Sequence, residues 1–166
     1  FNTILVAIGR DTNPEALNLK STGVELARSW KLQGRAEEKE RSNVDHIYAI
    51  GDNLEGALEL QTVASKSGKM LAHRLFERKQ GKLSEDEILK KYSFDYDFIP
   101  TTVFSPTEYS YIGLNEEEAI KEHGEDNLEI YHREVTPLEY TLVKDNIRSA
   151  YMKIICLKSD NERVIG

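Results

Sequence analysis

The sequence predicts a chain of mixed class. The end of an α/β domain occupies residues 1–93, and an α+β domain built on an antiparallel sheet occupies residues 94–166, with the whole incomplete at both ends. Three observations carry this. Apolar runs at Thr3 to Ile8 and His46 to Ile50 each close on a glycine, as buried strands ending in sharp turns do. A long amphipathic stretch, Leu58 to Phe76, follows the second run. From Phe94 onward the pattern becomes short β-rich runs broken by turn chemistry, with one helix among them.

Each element has its own local reason. Thr3 to Ile8 is uncharged and stops at Gly9-Arg10. Asp11 to Ser42 is loop-rich, with Asn13-Pro14 as a turn signal, and its charge run Arg35 to Arg41 reads as a solvated loop or hairpin. His46 to Ile50 stops at Gly51-Asp52. In the Leu58 to Phe76 helix, Leu60, Val63, Ala64, Leu71 and Leu75 share a face, and Ser67-Gly68 leaves a gap of small residues where another backbone could approach. A short helix begins at Ser84, with Glu87 completing a capping box. Strands are expected at Thr101 to Phe104, Tyr109 to Leu114, Leu128 to Arg133, Tyr140 to Val143 and Tyr151 to Leu157. The intervening helix is capped by Asn115 and Glu118 and stopped by Gly124. Lys158 to Glu162 forms a charged hairpin loop before Arg163-Val164-Ile165. The domain boundary falls between Gly81 and Phe94.

Composition narrows the function classes. Hydrophobic residues at 39% against charged residues at 31% give a globular balance. No apolar run reaches the roughly 20 residues of a membrane-spanning helix, so no membrane partner is expected. A net charge of −7 without a basic block argues against nucleic acid, whose affinity rests on phosphate neutralisation. A single cysteine, Cys156, excludes an internal disulfide and a multi-cysteine zinc site and fits a reducing compartment. It lies within Lys-Ile-Ile-Cys-Leu and reads as a packing residue. His46, His73, His123 and His132 lack metal-ligand spacing, so no metal site is expected. Tyr92, Tyr96, Tyr109 and Tyr111 read as core and interface aromatics. The chain opens inside one apolar run and closes at Gly166 in or just after another, which points to a segment of a longer polypeptide.

Chemistry concentrates around residues 52–62. The run Ile47-Tyr48-Ala49-Ile50-Gly51-Asp52 delivers a carboxylate to a strand's carboxyl end, the edge where open α/β sheets bind ligands. An ionised Asp only accepts hydrogen bonds, which suits a polyol such as the ribityl chain of a flavin. Glu59-Leu60-Gln61-Thr62 falls at the first turn of the following helix. Its free N–H groups and positive dipole end suit the charge that a flavin gains at N1 and the C2 carbonyl on reduction. For a lone strand-Gly-Asp, a structural turn aspartate is the simpler account, and a polar helix start accounts equally for residues 59–62.

The wider pattern weighs against those simpler accounts. Thr3 to Arg10, Asn43 to Asp52 and Gly68 to Phe76 resemble the pyridine nucleotide–disulfide oxidoreductases. Phe94-Asp95-Tyr96, Ile99 to Pro106, Ile112-Gly113-Leu114 and Glu116 to Ala119 resemble the start of that family's C-terminal interface domain. The elements occur in family order over almost the whole chain. Within the family, Asn127 to His132, Thr136 to Thr141, Lys153 to Cys156 and Asp160 to Gly166 resemble the high-molecular-weight thioredoxin reductases. Glutathione reductase is less similar at Pro137 to Tyr140, and a thioredoxin–glutathione reductase fusion shares the module.

This resemblance implies that residues 1–93 are the end of the NADPH-binding and the second part of the FAD-binding region, and that residues 94–166 begin a dimerisation domain. It implies that Asp52 bonds the FAD ribityl chain and that Glu59, Leu60 and Gln61 line the flavin through backbone N–H groups, with Glu59 also near the nicotinamide. It implies that Gly9 and Arg10 border the NADPH site and that Phe104 lies near the nicotinamide pocket. Where the family usually has Thr-Pro, this chain has Gln61-Thr62, which removes a proline suited to the first helical position. The implied activity is hydride transfer from NADPH to FAD and then reduction of thioredoxin's disulfide, by a cytoplasmic homodimer, a mitochondrial setting staying open.

The chain holds no cysteine pair and no Gly-x-Gly-x-x-Gly. It supplies cofactor wall and interface rather than a redox nucleophile. A rival reading from another class is a non-catalytic assembly module. Upstream sequence carrying a Cys-x-x-x-x-Cys segment in the same gene product would decide for the enzyme. For the purified 166-residue chain the expected outcome is no NADPH-dependent disulfide turnover, and measurable reduction of a small disulfide by it would overturn that expectation.

Overall fold

The computed structural model describes residues 2–142 and 149–166. They form two compact units, Phe1–Tyr96 and Asp97–Gly166.

In the first unit, the dominant element is helix α1, Gln61–Gln80. It buries Val63, Ser67, Leu71 and Arg74, at spacings of four, four and three residues, so one stripe faces inward. Gly81 ends it in the left-handed region (φ 65°), with its N–H donating to the Glu77 carbonyl. Arg78 and Lys79 in the last turn complement the negative end of the helix dipole. Helix α2, Glu85–Tyr92, follows and packs on α1. Its Ser84–Glu87 capping box is present as expected.

The expected start and face of α1 need correction. The helix begins at Gln61 rather than Leu58, which is exposed. Leu75 is exposed as well, and Arg74 takes the inward position beside it.

That inward arginine explains a second correction. The charge run Arg35 to Arg41 is not a solvated loop, because Glu38 and Glu40 are buried. Arg74, 1% exposed, donates from Nε to Glu38 Oε1 (3.0 Å), from Nη2 to Glu40 Oε2 (2.7 Å) and from Nη1 to the Tyr92 carbonyl (2.7 Å). Arg78 donates to both Glu38 oxygens (3.0 and 2.9 Å) and from Nε to both Glu85 oxygens (3.0 Å each). The hydrogen bond from Arg78 holds the Glu85 carboxyl below its usual range. Tyr96 completes the cluster by donating its hydroxyl to Glu40 Oε1 (2.9 Å), and burial pushes that phenol above its usual range, so it stays a donor.

Two expected strands do not form. Thr3 to Ile8 carries no strand, and Ile4, Leu5, Val6 and Ile8 are each at least 72% exposed. His46 to Ile50 has only an isolated bridge, Arg41 to Tyr48, and of its side chains only Ala49 is buried. A buried parallel strand needs neighbours on both edges and cover on both faces. The described residues of this unit provide no such sheet. Instead Val24, Leu32, Ala49 and Leu54 cluster with Leu26, Val44, Ile47, Ala57 and Tyr96 around loops.

The second unit is an antiparallel structure. Strands β1 (Thr101–Val103) and β2 (Tyr109–Tyr111) pair with Thr101 opposite Tyr111. Strands β3 (Leu128–Val135), β4 (Ala150–Leu157) and β5 (Arg163–Val164) form a three-stranded sheet in the order β3-β4-β5, with Leu128 opposite Leu157 and Val135 opposite Ala150. Helix α3, Glu116–His123, has its expected Asn115–Glu118 box. Its buried Ala119 joins Leu128, Ile155, Leu157 and Ile165 in the core. Cys156 is buried, as a packing residue should be, whereas Tyr109 and Tyr111 are exposed and lie outside this core.

The last residues are laced into this unit by backbone. Leu114 donates to the Ile165 carbonyl (2.9 Å), and Ile155 donates to the Gly166 carbonyl (2.8 Å). Gly113 sits at φ 78°, where a Cβ would lie 2.2 Å from the Ile165 oxygen, so only glycine fits. The expected strand Tyr140 to Val143 is corrected too. Leu138–Tyr140 is a 3₁₀ turn entered from Pro137, and Val143 lies outside the described residues.

The buried cluster gives a stability test. Arg74→Met takes from Glu40 its guanidinium partner and from Glu38 one of its partners, Arg78 staying in place, and unfolding in urea should show a loss of about 3–5 kcal/mol. A loss below about 1 kcal/mol would mean that the carboxylates are not held by this guanidinium.

Candidate functional site

The site is built from a turn, a loop and a helix start. The turn is the 3₁₀ segment Gly51–Asn53, which packs on the first turns of α1. Gly51 makes that approach possible. Its φ is 62°, and a Cβ there would sit 2.8 Å from Cβ of Ala64. One residue earlier, Ile50 packs against the bare backbone of Gly68, where an added Cβ would lie 3.0 Å from Ile50 Cδ1. The small-residue gap expected at Ser67-Gly68 is therefore filled by this neighbouring chain.

Asp52 lies on that turn, exposed and without a hydrogen-bond partner among the described residues. Leu54, fully buried, anchors the chain just beyond it. The chain then runs through Glu59 and Leu60 into α1. Leu60 is the N-cap residue and is extended (φ −122°, ψ 131°), with no side-chain hydrogen bond to the helix start. Its carbonyl accepts from Ala64 (3.0 Å). The N–H groups of Gln61, Thr62 and Val63 thus point out of the helix with no side-chain cap. Gln61 turns its own side chain along the helix, donating from Nε2 to Ser65 Oγ (3.0 Å). An acceptor-only carboxylate and a set of free donors at the positive end of a helix therefore share one end of the unit.

A hairpin absent from the sequence reading braces this end. Ala27 donates to the Lys31 carbonyl (2.8 Å), and the turn between them places Trp30 at φ 64°. Leu32 then locks both sides of the loop after Asp52. Its N–H donates to the Asn53 carbonyl (2.8 Å), and its carbonyl accepts from Glu55 (3.0 Å). Ser29 Oγ donates to the Glu55 carboxylate. Lys31 Nζ reaches Glu59 Oε1 at 2.5 Å, with the Lys31 side chain 16% exposed and that of Glu59 48% exposed. Leu26 and Leu32, the two bridge-paired leucines of this hairpin, lie six residues apart in a polar stretch, too weak a period to reveal it.

The expected site residues therefore separate. Asp52, Glu59, Leu60 and Gln61 gather at the start of α1. Gly9 (φ 104°) and Arg10 are exposed and make no hydrogen bond to them among the described residues. Phe104 follows β1 in the second unit and is 83% exposed. Among the described residues no group of His, Cys, Asp and Glu could hold a metal ion, and no helix is long and apolar enough to cross a membrane.

Residues 1–68 match the family model described as pyridine nucleotide-disulphide oxidoreductase, and residues 99–166 match the dimerisation domain of the same family. A protein named thioredoxin reductase SEP1, from Emiliania huxleyi, is 42% identical over 174 aligned positions. They take in 100% of this chain and 32% of that protein. The crystal structure of LpdA from Mycobacterium tuberculosis superposes with a TM-score of 0.62 over 95% of this chain and 30% of its own, at 21% identity, a likeness of fold. The chain thus spans about a third of the length of each.

Proposed function

The chain belongs to the pyridine nucleotide–disulphide oxidoreductases, and from that premise we propose that it forms part of an NADPH- and FAD-dependent reductase of the thioredoxin disulfide. The family match and the fold make it the end of an α/β nucleotide-binding region followed by a dimerisation domain. The single observation that carries the proposal is the uncapped start of α1 beside an unpartnered Asp52, since it fits what a flavin requires. The identity to a thioredoxin reductase along the whole chain supports thioredoxin over other disulfides.

On this reading FAD, when bound, supplies a two-electron carrier between NADPH and the disulfide. The chain's own residues bind and orient. Asp52 accepts hydrogen bonds from hydroxyls of the ribityl chain, and an ionised acceptor makes such bonds stronger than a neutral one would. Of the residues expected to offer backbone N–H groups, Leu60 spends its own on the Leu58 carbonyl (2.8 Å), and the N–H groups of Gln61 and its neighbour Thr62 would stabilise negative charge on the pyrimidine edge, at no cost in reorganisation because the helix fixes them. A proline has no N–H, so Thr62 in its place adds a donor at this end while giving up a residue suited to a helix start. Glu59 and Phe104 serve the nicotinamide, and Gly9 and Arg10 border NADPH.

The second unit is proposed as a two-fold interface. Tyr131, Met152, Ile154 and Val164 are exposed, and on the β3-β4-β5 register they share the face opposite the α3 core. An antiparallel sheet can leave one face to water, but a cluster of exposed apolar side chains on that face marks an interaction surface, and a closed two-fold contact is the commonest homo-oligomer solution.

Two outcomes test the proposal on the complete protein. Asp52→Ala should weaken FAD binding by roughly ten- to a hundredfold, the worth of about 1.5–3 kcal/mol for a hydrogen bond to a charged group, read by flavin loss on dilution. Equal retention in both forms would remove Asp52 from the site. Sedimentation at micromolar concentration should give a dimer, and a monomer with flavin fully bound would make residues 97–166 an intrachain domain instead.

A further inference from the structure

Beyond the residues so far assigned to the cofactor, the structure points to one more, and we propose that Lys31 is a positioning residue that sets the charge felt at the flavin edge. The inference rests on the flavin reading of the α1 start given above.

Lys31 does not approach the helix start by chance of a long side chain. Its backbone is fixed on both sides. Its carbonyl accepts from Ala27, its N–H donates to Ser29 Oγ (3.3 Å), and the next residue, Leu32, is buried and bonded to Asn53 and Glu55. The hairpin is therefore fused to the loop that joins Asp52 to Glu59. From this base the largely buried Lys31 stem delivers its ammonium to the Glu59 carboxylate at 2.5 Å. Glu59 stands two residues before the first helical residue, so the pair is attached to the chain that leads into the donor set of Gln61 and Thr62.

The energetics separate this role from simple stabilisation. Glu59 is about half exposed, and a pair of that exposure adds little to stability. Its effect on a neighbouring site is different in kind. Without Lys31, Glu59 would carry an uncompensated negative charge, partly screened by solvent, next to the helix start that the flavin reading assigns to a group gaining negative charge on reduction. Like charges at such range disfavour the reduced form. With Lys31 present, the helix N-terminus acts on the flavin without opposition from that carboxylate. Lys31 thus works through Glu59, touching neither the substrate nor the reacting atoms.

The test uses the complete flavoprotein and reads the flavin midpoint potential by equilibration with redox dyes. Lys31→Met should lower the preference for reduced over oxidised flavin roughly tenfold, about 30 mV on a two-electron couple, with little change in melting temperature. Lys31→Arg should restore the parent value. Glu59→Gln alone should leave the potential near the parent value, and adding Lys31→Met to it should not move the potential further. An unchanged potential in Lys31→Met, with FAD bound stoichiometrically, overturns the inference and leaves the flavin reading standing. A shift that survives in the Lys31→Met/Glu59→Gln double variant overturns it too, since Lys31 would not then act through Glu59. If flavin retention is indifferent to Asp52→Ala, the flavin reading itself falls and takes the inference with it.

Discussion

The first unit turns on one buried guanidinium. Arg74 reaches back from α1 to two carboxylates more than thirty residues earlier in the chain and to the carbonyl that ends α2. Taking three charges out of water costs several kcal/mol per ion, and good geometry only repays it. Such a cluster therefore contributes less to net stability than to the choice of one arrangement. Any packing of the 34–42 loop that leaves Glu38 or Glu40 facing apolar surface is excluded. Because the Glu40 carbonyl in turn accepts from Ala49 (2.8 Å), the arrangement extends along the chain toward Gly51 and Asp52.

From there the constraint passes to small residues. Gly51 and Gly68 allow the turn and the helix to meet without Cβ atoms between them. The turn can then hold its carboxylate at the end of the unit where the helix donors emerge. The same sequence that omits a capping side chain at Leu60 leaves those donors available. A serine or aspartate there would satisfy them internally. The helix start thereby gives up some intrinsic stability and keeps its donors open.

Local rules were legible in the sequence wherever the cause is local. Both capping boxes, at Ser84–Glu87 and Asn115–Glu118, were readable from four consecutive residues, as was the antiparallel character of the second half. The site was legible only in part: the turn at Gly51 was readable, but the strand expected before it does not form, and the helix starts at Gln61 rather than Leu58. The failures were non-local. The charged stretch Arg35 to Arg41 looked solvated because nothing near it in sequence announces a buried arginine more than thirty residues later. Leu75 looked inward because hydrophobic periodicity cannot see that Arg74 has two carboxylates waiting. The 27–32 hairpin, which braces the Asp52–Glu59 loop, left no periodic signal. Strand formation at Thr3 to Ile8 was read from composition alone, whereas pairing depends on a neighbour.

That unpaired stretch has a consequence of its own. Thr3-Ile4-Leu5-Val6-Ala7-Ile8 is uncharged, free of proline and rich in branched residues. Its backbone forms no ladder among the described residues, and its large side chains face solvent. Those are the features that let identical segments stack into cross-β fibrils. The charges that follow it most closely are Arg10 and Asp11. An unpaired edge of this kind offers its backbone donors and acceptors to a further strand, and the described residues supply none.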